Sequence, residues 1–544
     1  MKKVHPLTMA LVAGAMALCP LMASASSHPS AKPAEKTTGP NAWPTVTTQG
    51  SVNVNGKNIL YTAVAGTIAV GGTDAQDAQL GPNGKPLPDS NLASQFHKAK
   101  QVQDQPPVAH MFYVAYFERN ANEKTRPITF LYNGGPGSSS VWLHMGAFGP
   151  KRVATGNWDT HLPPAPYKLE NNTNSLLDVS DLVFIDAPGT GFSRMTGKDP
   201  GKAFWGVKQD GHAFARFIQR FLSKYNRWNS PKYIMGESYG TTRSAVVANY
   251  LENDYNIDLN GVILLSQIFN FDNSIDGPHS SPGTDLPYEL ALPTYAATAM
   301  YHHIIPQQPL QPFLKQVEAF AMGPYAHALL QGTDLSHAEK QSIAEKMHQY
   351  TGLPVGYLMR GNLRISGGQF EKTLQRATGT TTGRLDTRFS GPTIDPLSER
   401  AQYDPQSNAI SSAYISLFNQ YVRDTLHYGV GMTYVSMSNA ANDQWQFVTK
   451  GNTNGLNVGV DLAMAMKTDP KLKVMVNGGY YDLATPFYAA LYDDKHLPIE
   501  TPLAKNIQYH WYKSGHMVYV RTASLVKLHN NVAAFIRSTE AGNE

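Results

Sequence analysis

From residue 46 onward the apolar positions follow two rhythms. Between Ser51 and Val70, the alternation Val-Asn-Val-Asn-Gly-Lys leads into Ile59–Val64, which predicts a β-hairpin. Short apolar runs predict further strands at Val108–Phe117, Ile128–Tyr132, Leu182–Ile185, a run ending at Met235, Leu259–Phe269, Lys473–Val476 and Ile507–Trp511. Residues 77–106 are polar and marked by Pro and Gly, and are expected to be a loop. Helical patterns follow several strands, notably at Thr241–Asn253 and Ala523–Ile536. Strands alternating with helices imply a mainly parallel sheet. From Asp285 to Gln444 the helical rhythm takes over. There Ser336-His337-Ala338-Glu339 is a capping-box signature for a helix that Gly352 and Pro354 end. The expected organisation is a core over 46–284 and 445–544, interrupted by a helical cap over 285–444.

The first 45 residues break from this pattern. Lys2 and Lys3 precede a mostly apolar stretch, Leu7–Met22, and Ala23-Ser24-Ala25 offers small residues for cleavage. Residues 1–25 therefore read as a secretory signal peptide, and 26–45, rich in Ser, Pro, Lys and Thr, as a flexible leader. The expected location is outside the cytoplasm, periplasmic or secreted. The single cysteine, Cys19, lies in the signal segment. A mature chain without cysteine excludes thiol catalysis, disulfides and cysteine-based metal sites.

Composition narrows the reading further. The 544 residues are 42% hydrophobic and 16% charged, which supports a sizeable packed core. The net charge of +4 is spread without a basic block, so nothing points to nucleic acid or to a membrane surface after signal cleavage. No metal-ligand cluster is visible, and no cofactor is expected.

Two glycine-rich turns carry the chemistry. Gly236-Glu237-Ser238-Tyr239-Gly240 matches G-x-S-x-G between a strand and a helix. A serine on such a turn is held exposed, with the helix N-terminus behind it. Asn133-Gly134-Gly135-Pro136-Gly137-Ser138-Ser139-Ser140 follows a strand, lacks the spacing and lysine of a phosphate loop, and can present N–H groups to an oxyanion. This is the arrangement of many α/β hydrolases, whose triad order is Ser, then Asp or Glu, then His. Asp482 follows a strand and a Gly-Gly turn. Of the four histidines beyond it, His496, His510, His516 and His529, only His516 follows a strand through a Ser-Gly turn.

The chain resembles the serine carboxypeptidase family of α/β hydrolases. The similarity lies in N-G-G-P-G-S-S-S (133–140), D-A-P-G-T-G-F-S (186–193), G-E-S-Y-G (236–240), N-G-G-Y-Y-D (477–482) and S-G-H-M-V (514–518). The resemblance implies an α/β-hydrolase fold with a central, mostly parallel sheet and an inserted helical cap. It implies Ser238 as nucleophile, His516 as general base and Asp482 as the carboxylate that orients it. The N–H groups of Gly135 and Tyr239 would form the oxyanion hole, and Asn133 and Glu237 would bind a peptide's C-terminal carboxylate. Glu237 would have to be protonated to do so, which favours acidic working conditions.

Two departures stand out. Ser138 occupies the position where the family usually has a cysteine. Many members also carry a second glutamate fourteen residues after the motif asparagine; here that position is Ala147. The expected activity is serine carboxypeptidase. Ester hydrolysis or acyl transfer through the same acyl-enzyme is the alternative, and a non-catalytic binding protein on this fold is a third reading. Substrate side chain and oligomeric state are not legible in the sequence.

Overall fold

The computed structural model describes residues 43–156, 159–278, 281–448 and 455–541. The proposed signal peptide and nearly all of the leader lie outside the described residues.

Nine strands form the backbone of the main sheet. They are β1 (Val46–Val54), β2 (Lys57–Gly71), β3 (Val108–Glu118), β4 (Ile128–Tyr132), β7 (Asp181–Ile185), β9 (Lys232–Glu237), β10 (Gly261–Leu265), β13 (Lys473–Gly479) and β14 (Ile507–Tyr512). Of the remaining strands, β5 (Lys151–Val153) pairs with β6 (Leu169–Asn171), β8 (Arg194–Thr196) joins β3, and β11 (Thr380–Thr382) pairs with β12 (Ser390–Pro392). The spatial order is β1-β2-β3-β7-β4-β9-β10-β13-β14. The first three strands and β7 meet antiparallel, and from β7 to β14 every pairing is parallel. This is the mostly parallel sheet expected of an α/β hydrolase.

The parallel strands are buried on both faces, which is why they read as unbroken apolar runs. On β10, Ile263 and Leu265 join the core on one face, and Val262 and Leu264 the core on the other. The same division separates Tyr233 and Met235 from Ile234 on β9. One face is covered by the helices Val207–Lys224, Tyr239–Asn253 and Gly459–Thr468; the other by Pro405–Asp424 and Thr522–Ala541.

The segment from Leu286 to Thr373 is helical and has its own core. Tyr480, Tyr481, Leu483 and Phe487, which flank Asp482, belong to that core. The helix His337–Thr351 starts at the expected capping box, with Ser336 and Glu339 bonding reciprocally, and ends at Gly352 in the left-handed region (φ 70°). Residues 77–106 differ from expectation in part. Ser90 caps a short helix, Asn91–Lys98, whose Leu92 is buried against β2 and β3 residues. One buried leucine per two turns leaves too weak a periodicity to read from the chain.

Register brings the functional loops together. Tyr132 on β4 lies opposite Gly236 on β9, Leu265 on β10 opposite Asn477 on β13, and Gly479 on β13 opposite Tyr512 on β14. Asn133, Ser238, Asp482 and His516 all follow these C-terminal strand ends, where open α/β sheets place their ligands.

Candidate active site

β9 ends at Glu237 and the next helix begins at Tyr239, so Ser238 alone makes the turn. Its backbone sits at φ 62°, ψ −130°. Holding a non-glycine residue there costs about 1–3 kcal/mol, which the surroundings must offset. The Ser238 N–H donates to Leu265 O (3.0 Å), and Ser238 O accepts from the Thr241 N–H (2.8 Å). A Cβ on Gly236 would lie 2.0 Å from Gly240 O, so strand and helix touch back to back and only glycine fits. The first N–H groups of a helix have no partner within it and point outward as anion donors.

The loop after β4 lies against that helix start. A Cβ on Gly134 would fall 2.4 Å from the Tyr239 nitrogen. The N–H groups of Gly135 and Tyr239 thus belong to two segments in contact beside Ser238. Arg243, on the helix of Tyr239, donates from Nη1 to Asn133 O (2.7 Å) and from Nε to Asp210 Oδ2 (2.6 Å), all within a fully buried pair. The D-A-P-G-T-G-F-S motif (186–193) secures the other end of the loop: Asp186 Oδ1 accepts from the Ser140 N–H (2.8 Å). Where the resembling family usually has a cysteine, Ser138 Oγ accepts from Trp142 Nε1 (3.0 Å). Main-chain bonds from Ser139 to Ser436 (3.0 Å) and from Ser438 to Gly137 (2.7 Å) fasten the loop to a distant segment without a covalent link.

Asp482 and His516 meet directly. His516 Nδ1 is 2.8 Å from Asp482 Oδ2. Asp482 also accepts from the Thr485 N–H (2.9 Å) and from Thr485 Oγ1 (2.7 Å). Burial disfavours the charged imidazole, but the Asp482 charge, its hydrogen bond and the Glu237 charge outweigh this, so His516 is raised above its ordinary value. The ring's hydrogen bonds run through Nδ1, to Asp482 and to Thr485 Oγ1 (3.2 Å). Nε2 takes no part in these two bonds, and Ser238 and His516 line one cavity.

Residues 384–388, within the predicted cap, clamp both of these loops. The His516 N–H donates to Leu385 O (2.6 Å), and the Gly515 N–H to Asp386 Oδ2 (3.1 Å). The Thr387 N–H donates to Tyr481 O (2.9 Å), and the Leu483 N–H to Arg384 O (3.1 Å). A buried Asp386–Arg388 ion pair (2.6 Å) stiffens the clamp, and Arg388 Nη2 reaches Ser514 Oγ (3.3 Å). The approach is close enough that a Cβ on Gly515 would lie 2.4 Å from Asp386 Cβ. From the other side, Ser266 Oγ donates to His516 O (2.6 Å).

Glu237 is buried on the wall of the same cavity. Burial pushes its carboxyl up to about 7, against the lowering influence of His516, the Tyr519 hydroxyl and Asn133. Tyr519 OH donates to Glu237 Oε2 (2.9 Å) and approaches Oε1 at 3.2 Å. Asn133 Oδ1 accepts from the Leu143 N–H (3.0 Å), which turns its Nδ2 donors the opposite way. Burial thus favours the protonated form of Glu237 that carboxylate binding would need.

The cavity measures about 300 Å³ and is lined by Asn133, Gly135, Glu237, Ser238 and His516. Trp142, Leu385, Ile410, Met437 and Met517 supply apolar wall, and Arg384 and Asp404 a polar edge. A larger groove of about 730 Å³, edged by Lys98, Lys100, Lys198 and Lys202, is open and holds no comparable set of groups. Among the described residues, no three His, Cys, Asp or Glu side chains are placed to hold a metal, and no helix is long and apolar enough to cross a membrane.

All seven residues expected at the site, Asn133, Gly135, Glu237, Ser238, Tyr239, Asp482 and His516, lie around this strand-end region. The other three late histidines lie apart: His496 Nδ1 bonds Tyr492 O (2.7 Å), His529 Nε2 meets Asp178 (3.2 Å), and His510 stays within β14. Thr485, Ser266, the 384–388 clamp and Tyr519 were not anticipated. Only Thr485 had a local signal, three residues after Asp482.

A model of the family described as serine carboxypeptidase matches residues 100–518. The chain is 31% identical over 132 residues to the pheromone-processing carboxypeptidase kex1 of Pyrenophora tritici-repentis, covering 24% of this chain and 18% of that protein. It is 31% identical over 190 residues to the pheromone-processing carboxypeptidase KEX1 of Saccharomyces cerevisiae, covering 32% of this chain and 25% of that protein. The match therefore spans a quarter or less of these relatives' own length. A proline iminopeptidase from Mycobacterium smegmatis aligns with 80% of this chain and 97% of its own at 12% identity and a TM-score of 0.33, too loose to carry an argument.

Proposed function

This chain belongs to the serine carboxypeptidase family, and from that premise we propose that it is an exported serine carboxypeptidase acting through an acyl-enzyme on Ser238. The observation that carries this reading is a single cavity lined by Ser238, His516, Asn133 and the buried Glu237. In the proposed reaction His516 Nε2 takes the proton of Ser238 Oγ as that oxygen attacks the scissile carbonyl. Asp482 holds Nδ1–H and stabilises the imidazolium. The Gly135 and Tyr239 N–H groups receive the oxyanion; losing one such donor costs on the order of a hundredfold or more. The imidazolium then protonates the leaving amine. Water attacks the Ser238 ester with His516 again as base, which frees the shortened peptide and restores Ser238.

Asn133 and protonated Glu237 are proposed to hold the carboxylate of the departing residue. Two protonation states must then coexist: neutral His516, whose proton affinity is raised, and protonated Glu237, whose carboxyl burial pushes up to about 7. Activity on free-acid peptides is expected to fall on the acid side as His516 gains a proton and on the alkaline side as Glu237 loses one. The absence of a second carboxyl at Ala147 keeps a second reading open, in which esters or other acyl donors use the same acyl-enzyme.

The test uses N-blocked dipeptides as free acids, amides and esters, together with fluorophosphonate labelling. The parent should label and should prefer free acids; Ser238→Ala should do neither. Full turnover by Ser238→Ala would sink the mechanism, and indifference to the free carboxylate would favour the acyl-donor reading. Export is supported by Lys2, Lys3, the Leu7–Met22 stretch and Ala23-Ser24-Ala25. N-terminal sequencing of protein from the native cell should find a start near Ser26; an intact Met1 on cytoplasmic protein would refute it.

A further inference from the structure

Ala147, at the position where the family often carries a second glutamate, is fully buried and brings no carboxyl. The group that meets Glu237 comes from far along the chain. A Cβ on the neighbouring Gly146 would lie 2.5 Å from the Tyr519 ring and 2.6 Å from Tyr414 OH. Tyr519 sits in a short turn, Val518–Val520, just past His516, and is itself fully buried. Its hydroxyl reaches both Glu237 oxygens, at 2.9 and 3.2 Å. The missing side chain at Gly146 and the large one at Tyr519 are thus two halves of one packing arrangement.

We propose that Tyr519 is the positioning residue that takes the place of a second carboxylic acid, orienting Glu237 towards the C-terminal carboxylate of the substrate. The proposal rests on the carboxypeptidase reading and deepens it.

The chemistry of the replacement is distinct. Two neighbouring carboxyls share a proton and lose it as a pair. A buried phenol does not ionise in the enzyme's range: burial, then the Glu237 charge, hold Tyr519 well above its ordinary value. It is a permanent donor with one proton to give. When Glu237 is protonated, it accepts from Tyr519 and is left free to donate its own proton to the substrate. When Glu237 is ionised, the same hydroxyl stabilises the charge. Tyr519 therefore both fixes the direction of the acid and limits how far burial can raise it. The other groups facing Glu237 are Asn133 from the glycine loop, His516 and Asp482, and Tyr414 from Pro405–Asp424 with Arg152 beyond it. Only Asn133 and Tyr519 among these are neutral donors to Glu237.

Tyr519→Phe keeps the ring against Gly146 and removes only the hydroxyl. The measurement is kcat/KM against pH for an N-blocked dipeptide and its amide, in parent, Tyr519→Phe, Glu237→Gln and the double variant. For the free acid, KM should rise about 3–10-fold, as loss of one hydrogen bond warrants, with kcat nearly unchanged. The alkaline fall of the free-acid profile should move to higher pH, because ionised Glu237 has lost a donor. Amide turnover should stay at the parental level, which also reports that the variant is folded. In the Glu237→Gln background, removing the hydroxyl should leave the pH profile in place. A parent that prefers free acids, combined with an unshifted Tyr519→Phe profile, would overturn the proposal alone. Equal losses on acid and amide would also overturn it, by reducing Tyr519 to a structural role. A parent indifferent to the carboxylate would overturn the carboxypeptidase reading, and the proposal with it.

Discussion

Around Asp482 three hydrogen-bond donors converge, two from Thr485 and one from His516. Around Glu237, equally buried and two strands away, the Tyr519 hydroxyl reaches the carboxyl beside Asn133, and burial pushes the group up to about 7. The residue chemistry and the depth are alike; the supply of donors and charge is not. The donors around Asp482 fix its carboxylate beside the imidazole, whereas at Glu237 burial outweighs the donors that reach it and favours the protonated form. In the proposed reaction the first serves as a fixed counter-ion and the second as an acid that hands a hydrogen bond to the substrate. The difference teaches that neighbours assign these two acidic side chains their proposed tasks: Thr485, three residues on, supplies two of the donors to Asp482, whereas Tyr519 reaches Glu237 from 282 residues away.

The most severe way to break this contrast is to remove the charge at Asp482. Asp482→Asn should lower kcat by about 10⁴-fold by favouring the wrong imidazole tautomer, equally for free acids and amides. Steady-state kinetics on both substrates checks it; a loss confined to free acids would mean that Asp482 is not the partner of His516.

The next largest effect should come from the clamp. Asp386→Ala removes the acceptor for the Gly515 N–H and leaves Arg388 buried without its partner. A displaced His516 loop should cost about 10–100-fold in kcat on all substrates. Breaking a buried pair should also cost about 3–5 kcal/mol of stability. Urea unfolding and kinetics on the same preparation would separate the two losses, and an unchanged kcat would show that the clamp does not set the position of His516.

Glu237→Gln sharpens the comparison instead of breaking it. The amide of glutamine is a donor that cannot ionise, so the alkaline fall should flatten for free acids while the acid limb set by His516 remains. Stability offers an independent reading. Glu237 is raised from 4.5 to about 7 in the fold, so it contributes stability below the lower value and loses it as pH rises through the upper. The parent should therefore lose up to about 3 kcal/mol from this group between those limits. The variant should lack that part of the slope when unfolding free energy is followed against pH. The smallest effect expected is that of a chelator, which should leave all these rates unchanged.

Ser238, Asp482 and His516 could be read from the chain because each sits directly beyond a strand, in a turn of glycine and polar residues. Local chemistry of that kind leaves a local mark. Asn133 and Gly135 were readable for the same reason. Asp386, Ser266 and Tyr519 left none, because their partners at Gly515, His516 and Glu237 are 129, 250 and 282 residues distant. Nothing near Tyr519 marks it as the neighbour of Glu237 until Gly146 is seen to make room for its ring. The sheet was legible for a different reason: strands covered on both faces must be apolar throughout, and that shows at any position. The short helix at Asn91–Lys98 escaped because one buried leucine makes no pattern.

The clamp at 384–388 bears on how such enzymes can diverge. A segment placed over a catalytic centre is often treated as an exchangeable module that alters selectivity while the centre stays intact. Here that separation does not hold, since the same stretch that contributes Arg384 and Leu385 to the cavity also carries main-chain bonds to Tyr481, Leu483 and His516. Ancestry and engineering face the same constraint. A chimaera that swaps this region must bring its own acceptors for the histidine turn, and lineages that remodel it are bound to change both turns in step.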